Sequence, residues 1–113
     1  MEGENPNQVL YNQVMDIHDE VMPKMESLYN IKKDLEGKLA QSAGLTEDEK
    51  TALAQRIHTV DSVSKMMMDW MHEFNPLPDT VDQEKAREYL ENEMEKIKKV
   101  KEAMLETLEK EKQ

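Results

Sequence analysis

Residues 15–25 read MDIHDEVMPKM, and the side chains there that could do chemistry are sulfur and imidazole: Met15, His18, Met22 and Met25, spaced by threes and fours. A second stretch, MMMDWMHEF at 66–74, repeats the mixture with Met68, Met71 and His72. On a helix such intervals place side chains on one face. Thioether and imidazole without thiolate form a soft ligand set, better suited to Cu(I) than to zinc or calcium. Methionine also fills irregular gaps in apolar cores, because its unbranched chain adapts to the space available. Core packing, with no metal or cofactor, is the preferred reading. The alternative is a small soft-metal protein using Met15, His18, Met22, Met25, Met68, Met71 and His72.

Other chemistry finds less support. Asp69 and His72 stand at i, i+3, like the Glu-x-x-His element of di-iron bundles. A second such motif is missing, since neither His18 nor His58 follows an acidic residue by three positions. Ion pairing at the surface is the expectation for Asp69 with His72 and for Asp61 with His58. Ser27, Ser42, Ser62 and Ser64 lie in no nucleophile elbow, and the chain has no glycine-rich phosphate loop or calcium-loop signature. The expectation is a protein that is not an enzyme.

The elements that position these residues follow from periodicity. Apolar residues at Leu10, Val14, Ile17, Val21, Met25, Leu28, Leu35 and Leu39 trace one stripe, which predicts a helix over about 7–41. Asn5 or Asn7 would cap it, and QSAGLT at 41–46 would turn the chain. Thr46 and Glu49 have capping-box spacing and open a second helix, about 46–74, with Leu53, Ile57, Val60, Met67, Met71 and Phe74 inward and Ser64 the polar member. Pro76 and Pro78 in NPLPD end it. A third helix, about 80–111, would be capped by Asp79 or by Thr80 with Gln83. Its inward residues are Ala86, Leu90, Met94 or Glu93, Ile97, Val100, Met104 and Leu108. Short connections make successive helices antiparallel, so the expected fold is all-α: one up-down-up antiparallel three-helix bundle over 7–113, preceded by a polar tail at 1–6. Helices of about 30 residues would make a rod roughly 45 Å long. Folding the first hairpin about residues 43–44 brings position 18 level with position 69.

Pro23 breaks a local rule, because a proline inside a helix removes one backbone hydrogen bond and crowds the preceding turn. A kink in the first helix is expected there, freeing the Asp19 carbonyl. Trp70 and Phe74 are read first as closing one end of the core and second as exposed anchors for a partner.

Composition bounds the partners. The 113 residues suffice for one modest core, and the formal net charge of −10 repels phosphate backbones and anionic lipid, so nucleic acid is not an expected partner. With no cysteine there is no disulfide, thiol catalysis or thiolate metal site. No apolar run is long enough to span a membrane, and MEGENPNQ lacks the basic and apolar regions of a signal peptide. Heptad-like stripes also make a dimer with a second copy a candidate assembly.

YNQVMDIHDEVMPKM (11–25), MMMDWMHEF (66–74) and YLENEMEKIKKVKEAM (89–104) resemble a family of short, uncharacterised bacterial envelope lipoproteins. Some members are labelled "viral A-type inclusion protein". The resemblance runs over most of residues 10–108 and is most specific in HDEVMPKM. It implies a helical domain held by a lipid anchor on the periplasmic or surface side of a bacterial membrane. The lipoprotein signal and its cysteine are not in this chain, so the expectation is that Met1 replaces them and EGENPN serves as the tether; a cytoplasmic copy is the other option. No site residues come with the resemblance. The function expected is a non-enzymatic interaction or scaffold module of the cell envelope, presenting an acidic rod to a protein partner.

Overall fold

The computed structural model describes residues 6–75 and 82–112, with Ser42 by its backbone alone. Three helices carry the chain: α1 (Pro6–Ala40), α2 (Glu47–Glu73) and α3 (Gln83–Glu111), with one 3-10 turn at Ser42–Gly44 between the first two. The expected helices match these bounds within three residues.

Side-chain contacts fix the directions. As residue number climbs on α1 it falls on α2: Tyr11 lies against Phe74, His18 against Met71 and Lys32 against Asp61. On α3 it climbs with α1, from Asn7 with Gln83 to Glu20 with Lys101. Arg56 meets Glu111 and Phe74 meets Tyr89, so α2 and α3 are antiparallel. The result is the up-down-up bundle, 65 × 22 × 15 Å in extent. Its length exceeds the expected 45 Å in part because α1 alone has 35 residues, which rise about 52 Å at 1.5 Å each.

The core is built on a seven-residue repeat. Val14, Val21, Leu28 and Leu35 on α1 are each no more than 1% exposed, and Leu53, Val60 and Met67 on α2 and Leu90, Ile97 and Met104 on α3 keep the same interval. This spacing holds one seam of each helix against its neighbours, as in coiled coils. Met22 and Met25 are half-buried against this core. Two further α2 residues, Val63 and Trp70, are buried beside this seam and widen the apolar face of α2.

Helix ends show where local chemistry was readable. Thr46 Oγ1 accepts from Glu49 N–H while Glu49 Oε1 accepts from Thr46 N–H, both at 3.1 Å, completing the capping box. The cap of α3 is Asp82, whose side chain accepts from Glu84 N–H at 2.9 Å. Gln83, expected in a capping box with Thr80, instead accepts from the Asn7 side chain at 2.9 Å, joining the starts of α3 and α1. Asn7 lies inside α1 and does not cap it. Asn5, Pro76, Pro78, Asp79 and Thr80, and most of the polar tail, lie outside the described residues. The α1 helix runs unbroken through Pro23, which is exposed. Proline has no N–H to give Asp19, and its solvent-facing position lets water reach that carbonyl.

Among the described residues no helix is long and apolar enough to cross a membrane.

Candidate functional site

Two places on the rod concentrate features beyond packing: the end holding the methionines and histidines, and the tip of the α1–α2 hairpin.

At the first, Phe74 joins all three helices. Its ring centroid is 4.7 Å from that of Trp70 with planes 16° apart, and 6.1 Å from those of Tyr11 and Tyr89. Phe74 is the C-cap of α2, its N–H donating to Trp70 O at 2.8 Å, and the next N–H, of Asn75, donates to Tyr89 Oη at 2.6 Å. Trp70 is buried, so the pair closes the core and does not stand out as an exposed anchor. The buried Trp70 Nε1 has no hydrogen-bond partner among the described residues.

Two turns along α1 from Tyr11, His18 leans over this stack, its ring 6.0 Å from that of Trp70. Nε2 of His18 lies 3.2 Å from Met71 Sδ across the α1–α2 interface, and Nδ1 lies 3.1 Å from Asp19 Oδ1. Met15 and Met22, at i−3 and i+4 from His18, are half-buried on the same face of α1. The other candidates diverge: Met68 and His72 are exposed, and Met25 sits two helical turns from His18. Met66, beside them in sequence, is exposed as well. Among the described residues no group of three or more His, Asp or Glu could hold a metal. The di-iron motif has a plain outcome, since Asp69 pairs with Lys65 at 2.8 Å. His58 Nε2 likewise lies 3.5 Å from Ser62 Oγ, while Asp61 pairs with Lys32 at 2.7 Å.

No family model, curated protein or solved structure matches the chain.

The second place arises from unequal reach. The last residues of α3 lie beside Ile31 on α1 and Arg56 on α2. Past that level α1 continues to Ala40, and α2 has already run from Glu47, so the hairpin tip is a two-helix structure. There, an open apolar groove of about 450 Å³ is lined by Leu45, Ala52 and Leu53 and edged by Lys38, Glu49 and Arg56. Ala52 and Arg56 also border the neighbouring groove between α2 and α3. The sequence reading missed this surface. Its trace there is Leu45, the one large apolar residue in the turn QSAGLT.

Electrostatics around the tip are ordered by one pair. Arg56 bonds Glu111 through both Nη2 and Nε, at 2.7 and 3.3 Å, and this hydrogen bonding raises the guanidinium pKa further above its ordinary value. Elsewhere Lys96 is raised by its bond to Glu93, a carboxylate that is only 4% exposed and sits next to the equally inward Met94.

Proposed function

We propose that this chain is a non-enzymatic helical interaction module that offers the tip of its α1–α2 hairpin to an amphipathic helix of a protein partner. The observation that carries the reading is the groove at Leu45, Ala52 and Leu53, left with two helical walls where the rest of the rod has three. A partner helix laid there would continue the line of α3 and bury apolar surface that two helices alone leave wet. The net charge of −10 favours a partner with basic flanks, through attraction that speeds encounter and weakens with salt. The resemblance to envelope lipoproteins is what supports proposing a place on the periplasmic or surface side of a bacterial membrane, with a lipid anchor in the full-length form.

A photo-crosslinking residue in place of Ala52, in protein produced from its natural gene, tests this in native membranes. A discrete envelope protein should be captured, and Leu45→Glu should abolish capture. Recovery of nothing, or capture indifferent to Leu45→Glu, would overturn the reading. Capture of the chain itself would replace the foreign partner with a second copy. Metabolic labelling with a fatty acid tests the anchor separately.

A further inference from the structure

We infer that the outer seam between α1 and α2 is a docking surface for a basic amphipathic helix of another protein, which lies there as the fourth helix of a bundle. A second seven-residue series runs beside the core one. Each of the buried residues Val14, Val21 and Leu28 is followed directly by a large side chain: Met15, Met22 and Tyr29. One residue on is about 100° round the helix, so these three form a stripe alongside the core stripe. Its side is known, because Met15 and Met22 stand three before and four after His18, which meets Met71 of α2. The facing wall repeats the pattern: buried Met67 is followed by Met68, three residues before Met71. On the opposite flank of α1 lies α3, where Glu20 pairs with Lys101, and the α1–α2 seam is left uncovered.

The seam is apolar where the outside of a bundle is normally charged. Met68 is 43% exposed and Tyr29 58%, while Met15, Met22, Met25 and Met71 are half-buried. Large side chains repeated every seven residues give a further helix holes to pack into, and unbranched methionine adapts to what arrives. From Met15 to Tyr29 the seam spans about 21 Å, room for four turns of a partner helix. Charge decides what kind of helix. Asp19 and Glu26, each four residues after a methionine of the stripe, form the outer edge of the α1 wall. Among the described residues no lysine or arginine pairs with either, and Asp19 has only His18 beside it. The carboxylates of the α2 wall are already met, Asp61 by Lys32 and Asp69 by Lys65. Uncompensated negative charge therefore runs along one edge, and a helix with lysine or arginine seven residues apart on that side matches it. A second copy of this chain, with a net charge of −10, is repelled as a whole. The seam lies along the body of the rod, apart from the hairpin-tip groove, and does not depend on that groove having a partner.

The probe is a synthetic peptide of three heptads, with leucine at a and d, lysine at e and g and no aromatic residue. It is titrated into the whole chain carrying 13C-methyl methionine. The methyl signals of Met15, Met22 and Met68 should shift together and saturably, a readout free of any variant's folding, while that of Met104 in the core holds still. Met68→Gln changes an exposed residue and should weaken binding at least fivefold. Asp19→Asn with Glu26→Gln should weaken it as much and flatten its dependence on salt. Leu105→Gln, at an exposed position of α3, should leave affinity within twofold. A peptide with glutamate in place of lysine should not bind. No saturable binding, shifts confined to other methionines, unchanged affinity in Met68→Gln, or equal binding of the glutamate peptide would each overturn the inference. So would sedimentation in which the chain alone dimerises and Met68→Gln abolishes the dimer, since a second copy would then fill the seam.

Discussion

Arg56 on α2 and Glu111 on α3 form a two-pronged ion pair at the level where three helices become two, with Nη2 2.7 Å from Oε1 and Nε 3.3 Å from Oε2. The planar guanidinium fork matches the two carboxylate oxygens, a geometry lysine does not reproduce. The Glu111 side chain is 10% exposed while that of Arg56 is 43% exposed, so the pair is part-sheltered and part-screened. It pins the last turn of α3, which would otherwise fray.

A double-mutant cycle of Arg56→Met with Glu111→Gln should give a coupling of about 1 kcal/mol, the upper end for exposed pairs. Arg56→Lys should recover less than half of it, because one prong is lost. Urea melts at low and high salt check both, the coupling shrinking as salt rises. Coupling indistinguishable from zero at low salt would show that the end of α3 is held by packing alone.

Phe74 is the only ring that contacts aromatic partners on all three helices among the described residues. Phe74→Ala should cost about 2–3 kcal/mol, somewhat under the loss for a fully buried phenylalanine, because Phe74 is half-buried. Phe74→Leu should keep most of the burial and lose mainly the ring-stacking contribution, about 1 kcal/mol. Near-ultraviolet circular dichroism should weaken in both variants, as Trp70 loses its stacked neighbour. A Phe74→Leu variant as stable as the parent would mean that ring geometry contributes nothing here.

Much of this was legible before the structure, and the reason is the narrowness of the fold. Each helix has one dominant seam, so Val14, Val21, Leu28 and Leu35 announce both helix and face. Turn length then sets the register: folding about residues 43–44 put position 18 level with position 69, and the structure sets His18 against Met71. What escaped depends on three bodies at once. Val63 is buried although it lies off the Leu53, Val60 and Met67 seam, and Glu93 and Met94 are buried together where the helical period alone offered one or the other. Asp69 has Lys65 and His72 on either side along its helix, and spacing alone does not choose between them. The hairpin-tip groove comes from the relative reach of α1 and α3, which no single helix records.

Lys32 and Asp61 link α1 to α2 at 2.7 Å, and each shifts the other. Their hydrogen bond holds the Asp61 carboxyl below its ordinary value and the Lys32 ammonium above its own. For Asp61 the folded value is depressed, so its contribution is present above the unfolded pKa near about 3.9 and is lost as pH falls through the folded value. For Lys32 the folded value is raised, so its contribution is present below about 10.4 and is lost as pH rises through the folded value. Lys32→Met should therefore lower Tm across the neutral range and converge with the parent in strong acid. In the same variant the NMR titration midpoint of Asp61 should move up toward its ordinary value; an unmoved midpoint would show that the pair does not persist in solution.

Pro23 lies in the middle of α1 with its ring toward water, so its replacement disturbs no packing. Alanine there restores an N–H that can donate to the Asp19 carbonyl and removes the clash with the preceding turn, effects worth about 3 kcal/mol in a helix interior. Against this, proline restricts the unfolded chain, which offsets up to about 1 kcal/mol. Pro23→Ala should therefore raise stability by roughly 2–3 kcal/mol in a urea melt, and stopped-flow unfolding should be no faster than in the parent. If the variant is instead less stable, α1 depends on proline at this position, and the seam from Val14 to Leu35 meets α2 only with the backbone that proline holds there.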